Sequence, residues 1–121
     1  MTAIIDSPTV TVIRLHGSCN AANALEFQSQ MKIAVTQERH TNILVDLEQV
    51  ESLDSAGLMA LVYGQRLAQV LERRFILCSV PAPIQIIFEL TQLDQVFEIF
   101  ESIAAFESAS PQGQAAYGIA S

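Results

Sequence analysis

The 121-residue chain has no tryptophan, and its rings are confined to six phenylalanines and two tyrosines. That is a thin supply for a surface on which nucleobases could stack. Basic residues are scarce as well: six Lys and Arg stand against thirteen Asp and Glu, for a formal net charge of −7. Phosphate backbones and anionic lipid repel such a chain. Its basic residues, Arg14, Lys32, Arg39, Arg66, Arg73 and Arg74, are scattered apart from the last pair. Neither nucleic acid nor membrane is expected as a partner. No apolar run approaches the ~18 residues that cross a bilayer, and the opening MTAIIDSPTV has no basic start and no cleavage pattern. Two cysteines, Cys19 and Cys78, lie far apart without a C-x-x-C spacing. A reduced, cytoplasmic protein is the expectation. With only two histidines at unrelated spacings, no metal or other cofactor is expected.

What is present is apolar: half of the residues. At this length they suffice for the core of one domain. Thr9 to Leu15 (TVTVIRL) alternates and is rich in β-branched residues, which predicts a strand. Ile4 and Ile5 add a short strand before it, with a turn at Asp6-Ser7-Pro8. From about Ala21 to Gln37, Ala24, Phe27, Met31 and Val35 recur at helical spacing, with Asn20 as the expected N-cap. Asn42 to Leu47 (NILVDL) is apolar on both faces apart from Asp46, as in a strand covered on both sides. Leu58, Leu61, Val62, Gln65 and Ala68 mark a second helical face. Arg73 to Val80 (RRFILCSV) predicts another buried strand, stopped by Pro81 and followed by a helix with Pro83 in its first turn. Val96 to Phe100 alternates as an edge strand. Strands and helices thus take turns, which predicts an α/β fold with a largely parallel sheet. Residues 1–106 are read as the domain, and the small, polar, Gly/Pro-punctuated segment 107–121 as a flexible tail.

The chemistry concentrates in ESLDSAGLMA, residues 51–60, where the central strand hands over to the second helix. At its plainest the cluster is a cap: Asp54 or Ser55 closes a helix that begins near Ala56, and Gly57 lets that helix pack close to a neighbour. Its position suggests more. In open α/β sheets, ligands gather at the carboxyl ends of parallel strands. A serine there is held on rigid elements beside a helix N-terminus that tolerates negative charge. Phosphate on Ser55 would add about −1.5 to −2 charges at pH 7.

The run ILVDLEQVESLDSAGLMALVYG resembles the STAS domain of bacterial anti-sigma factor antagonists, in which a buried strand ends in Asp-Ser-x-Gly-Leu/Val and opens a helix. The resemblance extends over VIRLHGSCNAANALEFQSQM and RFILCSVPAPIQIIFELTQLDQVFEIF, from about Thr9 to Phe100. It implies a STAS-type α/β fold: a mostly parallel, mixed sheet of four to five strands covered by helices. It further implies a non-enzymatic partner switch. Ser55 would be phosphorylated by an anti-sigma factor with serine kinase activity and restored by a serine phosphatase. Asp54, Ser55, Ala56, Gly57, Leu58 and Asn20 would meet the partner, and the loop around Gly17-Ser18 would border the site. Two departures stand out. Asn20 replaces the family's usual aspartate, and Ala56 follows Ser55 where many relatives carry a second hydroxyl. The alternative within the same fold is a docking subunit of a signalling or lipid-transport complex that is not phosphorylated.

Other chemistries have less support. A nucleophile elbow needs G-x-S-x-G, but Leu53 occupies the first glycine position. His16, expected in a loop after the first strand, and His40, in the Arg39-His40-Thr41 connection, are read as surface residues. Cys78 is expected in the core and Cys19 at the surface, without an activating cation. Glu98 and Glu101 are expected to form a solvated edge. Gly64, inside the second helix, is explained by close helix packing. No Gly-rich cradle supports nucleotide binding.

Overall fold

The computed structural model describes residues 2–6, 10–36 and 42–109. Ser7, Pro8, Arg39 and His40, on which parts of the sequence reading fall, lie outside them, as does the segment 110–121. The chain runs β1 (Thr2–Asp6), β2 (Val10–Cys19), α1 (Ala24–Thr36), β3 (Asn42–Leu53), α2 (Ser55–Val70), β4 (Phe75–Cys78), α3 (Ala82–Thr91), a short 3-10 turn (Leu93–Gln95), β5 (Glu98–Phe100) and α4 (Ile103–Ala109).

The five strands form one sheet in sequential order, β1-β2-β3-β4-β5. β1 pairs antiparallel with β2, whereas β2 through β5 are parallel. This is the mixed, mostly parallel sheet that the alternating pattern predicts. Sequential order has a consequence. When every crossover is right-handed and steps the same way along the sheet, the crossover helices collect on one face. The larger core cluster shows it, because Phe27 and Met31 of α1, Ala60 and Leu61 of α2, and Ile84 and Phe88 of α3 share it with Ile13, Val45 and Leu77 of the strands.

The opposite face needs its own cover, and α4 supplies it. Phe106 is fully buried against Val10, Leu44, Ile76 and Cys78. The spacing of the sequence predicts no helix at α4, which crosses the boundary expected at Phe106. β3 is buried on both sides from Ile43 to Leu47, so its apolar run reports a central strand. Asp46, within that run, is buried and held: its Oδ1 accepts the Glu48 N–H at 3.0 Å and its Oδ2 lies 3.4 Å from Arg14 Nε.

Three expectations change in detail. α1 starts at Ala24, because residues 20–23 form a turn of their own. β4 is only four residues long, since Arg73 and Arg74 precede it. Glu98 is no free solvated charge but forms a two-pronged ion pair with Arg74, with Nε to Oε1 at 2.8 Å and Nη2 to Oε2. The Arg74 guanidinium also lies 5.2 Å above the Phe106 ring, so one side chain ties β5 to α4.

Candidate functional site

The carboxyl ends of β2 and β3 lie side by side, and α2 starts where they stop. The end of β2 is irregular: its register against β3 shifts between Arg14 and His16 and again between Gly17 and Ser18. Gly17 sits at φ +80°, a conformation that side chains disfavour. These shifts bring Ser18 opposite Ser52 and Cys19 opposite Leu53. The Ser52 hydroxyl donates to the Ser18 hydroxyl at 2.9 Å, and the Asp54 N–H donates to the Cys19 carbonyl at 3.1 Å. β2 therefore fixes the entry into α2.

Asp54 is the N-cap, in extended conformation, and its Oδ1 accepts the Gly57 N–H at 3.0 Å. Its carbonyl accepts the Leu58 N–H at 2.9 Å, beginning the helical ladder. Of the two capping residues left open by the sequence, Asp54 does the capping. That leaves Ser55 as the first helical residue, exposed like Asp54. Gly57 is buried because α2 presses on β2. A Cβ there would stand 2.5 Å from the Cys19 carbonyl oxygen and 2.9 Å from both Cys19 Cβ and Leu53 Cδ1.

The other members of the expected site fall at different depths. Ala56 is half-buried, and Leu58 is half-buried against the main core. Asn20 directly follows the carbonyl that receives Asp54. Its Oδ1 accepts a backbone N–H, as expected of a cap, but the donor is Ala22, at 2.9 Å and outside the helix. Asn23 holds the turn: its Oδ1 accepts the Asn20 N–H at 2.9 Å and its Nδ2 donates to the Ser18 carbonyl at 2.7 Å. Ser18 belongs to the segment expected to border the site, but its hydroxyl pairing with Ser52, and the role of Asn23, escape the sequence reading. They depend on a register shift between strands that no local pattern encodes.

His16 lies within β2, paired with Gln49, and not in a loop. With Ser18, Asn23, Glu26 and Phe27 it lines a cavity of about 20 Å³, room for about one water. Cys19 is buried, not exposed, at 6 %. Burial pushes its thiol pKa up, and the nearby Asp54 carboxylate adds to this. Cys19 is therefore a packing residue under Gly57 and no nucleophile at neutral pH. Among the described residues, no group of three or more His, Cys, Asp or Glu is placed to hold a metal ion. No helix among them is long and apolar enough to cross a membrane.

The arrangement presents the Ser55 hydroxyl on a capped helix end, at the carboxyl end of a parallel strand. Comparison with known proteins bears on what kind of domain this is. The STAS domain model matches residues 2–106. A candidate anti-sigma factor antagonist from Thermotoga maritima superposes with a TM-score of 0.81 at 21% identity, over 89% of this chain and 92% of that one. An anti-sigma factor antagonist from Mycobacterium paratuberculosis gives 0.80 at 23% identity, over 90% and 92%. The phosphorylated form of the Bacillus cell fate determinant SpoIIAA gives 0.69 at 18% identity, over 91% and 100%. At such identities these structures share a fold, and the family match, spanning nearly all of the described residues, places the chain: it belongs to the STAS domain family.

Proposed function

We propose that this protein is a cytoplasmic anti-sigma factor antagonist that works by partner switching and has no catalytic activity of its own. Unmodified, it binds an anti-sigma factor with serine kinase activity and so frees a sigma factor for transcription. Phosphate on Ser55 ends the binding, and a serine phosphatase restores it. The observation that carries this reading is the exposure of Ser55 as the first residue of α2, directly after a cap made by Asp54. The fold supports it too, since SpoIIAA, which shares the fold, exists in unphosphorylated and phosphorylated forms.

The physical logic is local. The helix end tolerates the phosphate, so the fold need not rearrange. A partner carboxylate ~5 Å from the phosphate would be repelled by ~1–3 kcal/mol at moderate screening. Lost hydrogen bonds add to that, and a tenfold or greater weakening follows. Asn20 caps its turn without charge, so the acidic character beside Ser55 rests on Asp54.

The test is peptide and intact-mass spectrometry on protein from its native cells, with Ser55→Ala as the control. Phosphate at Ser55 that varies with growth conditions and vanishes in the variant supports the switch. A chain that never carries phosphate is instead a fixed docking subunit. Ala60 is fully buried, so surface probes of that alternative belong at Gln65 or Met59.

A further inference from the structure

We infer that Met59 is an oxidation site: hydrogen peroxide converts its thioether to the sulfoxide, and the sulfoxide weakens docking of the kinase that acts on Ser55. The chain has three methionines. Met31 is fully buried beneath α2, where a Cβ at Gly64 would stand 2.7 Å from its Sδ. Met59 is 57% exposed. Peroxide in water therefore meets the Met59 sulfur in the folded chain, whereas it reaches Met31 only when the chain opens.

Oxidation needs only the peroxide. A sulfur lone pair attacks one peroxide oxygen, the O–O bond breaks and an S–O bond forms, and the other oxygen leaves as water with both protons. The thioether gives up two electrons and the peroxide takes them. Methionine sulfoxide reductases reverse the change. Met59 belongs to neither core cluster, so the fold keeps its packing while a flexible apolar side chain becomes a polar one.

Position gives the oxidation its consequence. Ser55 and Met59 are both exposed on α2, four residues apart, and helical residues at that spacing are neighbours on one face, with Cβ atoms about 5–6 Å apart. A specific interface covers about 800 Å² on each partner, a patch roughly 30 Å across. A kinase that closes over the Ser55 hydroxyl therefore covers Met59 too. In the first two turns of α2, Met59 is the large apolar side chain left exposed. Docking removes water from it, which favours binding while it is a thioether. A sulfoxide oxygen holds water, and docking must strip it. Phosphate acts on this surface through charge at Ser55, and oxidation acts through polarity one turn further on.

The inference rests on Ser55 as the phosphorylated residue, and the test separates the two. Trypsin leaves the three methionines on three different peptides, and residues 40–66 carry Ser55 together with Met59. In the purified full chain under hydrogen peroxide, Met59 should oxidise at least about tenfold faster than Met31, with the circular dichroism spectrum unchanged. An equal mixture of oxidised and untreated chain is then given native-cell extract, Mg-ATP and a phosphatase inhibitor. Mass spectrometry reads Ser55 phosphate on the oxidised and unoxidised copies of the one peptide. The oxidised copies are expected to gain phosphate about fivefold more slowly. Met59→Leu removes the sulfur, so peroxide-treated and untreated samples of that variant should gain phosphate at equal rates. Equal rates on the two natural forms, a Met59→Leu chain that still responds to peroxide, or Met31 oxidised as fast as Met59 overturns the inference and leaves the switch standing. Phosphate on neither form overturns the switch and the inference with it.

Discussion

The Asp54 carboxylate accepts the backbone N–H of Gly57 at 3.0 Å, and this cap, together with the Asp54 N–H bond to the Cys19 carbonyl, sets where α2 begins and where Ser55 stands. Asp54→Ala should cost about 0.5–2 kcal/mol, the usual loss of an N-cap, while Asp54→Asn retains an accepting oxygen and should cost less. Urea denaturation of the two variants checks the order. If both lose equal stability, the carboxylate acts through charge and not through the cap.

Two buried glycines on α2 should respond differently to alanine. At Gly57 the added methyl meets the Cys19 backbone oxygen at 2.5 Å, and a strand backbone cannot step aside cheaply. Gly57→Ala should destabilise by about 1–3 kcal/mol and displace the start of α2. At Gly64 the methyl meets Met31 Cγ and Sδ at 2.5 and 2.7 Å, with Phe75 Cε1 at 3.1 Å. Methionine is an unbranched, adaptable side chain, so the helix propensity gained over glycine offsets part of the clash. The loss at Gly64 should be the smaller of the two in thermal unfolding.

These residues also show how much the sequence disclosed. The alternation of Thr9–Leu15, the largely apolar NILVDL and the helical spacing after Gly57 each report burial, and burial follows the layers of the fold; hence the alternation of strands with α1, α2 and α3 and the mostly parallel sheet are legible. Cys19 was not. It follows Gly17-Ser18, which looks like a loop, yet two register shifts carry β2 on through it and under Gly57. Nor was Arg74–Glu98, whose members lie 24 residues apart and meet only because β4 and β5 pair. α4 is too short for its spacing to stand out, and its role depends on the sheet face that the one-sided crossovers leave open.

That face gives a third prediction. Phe106 is fully buried and stacks edge-on with Phe100 at 5.3 Å. Phe106→Ala should cost about 3–5 kcal/mol, a large share of the roughly 5–15 kcal/mol that holds a domain folded. Arg74→Ala removes a partly exposed ion pair and a cation–π contact, which together amount to about 1 kcal/mol. Hydrogen exchange should show α4 opening first in Arg74→Ala, with the amides of β3 still protected.

At Ser55, stability and binding should separate. The side chain is exposed, so Ser55→Ala should change stability by less than about 0.5 kcal/mol and leave partner affinity intact. Ser55→Glu places a negative charge at a helix N-terminus, a gain of about 0.3–1 kcal/mol, reduced by the adjacent Asp54. The same substitution should weaken binding to the proposed anti-sigma factor partner at least tenfold by calorimetry. A Glu variant that binds normally would show that charge at Ser55 is not the signal.

The last prediction concerns alkaline pH and Cys78. This residue is fully buried in β4 opposite Asp46, and its thiol donates weakly to the Val45 carbonyl at 3.7 Å. Burial, reinforced by the Asp46 carboxylate, pushes its pKa up from 9.0 to about 12. Below pH 9 the thiol is protonated in both folded and unfolded chains, so it adds no pH dependence. Between pH 9 and about 12 the unfolded chain releases this proton and the folded chain does not, so stability falls as pH rises, by about 1.4 kcal/mol per pH unit at the steepest. Cys78→Ala abolishes the titration. Subtracting its urea-derived stability from that of the natural chain at each pH should isolate this slope from the ionisation of Cys19 and the tyrosines. A flat difference above pH 9 would mean that the thiol ionises as readily in the fold as outside it, and that the cover formed by α4 over β4 admits water.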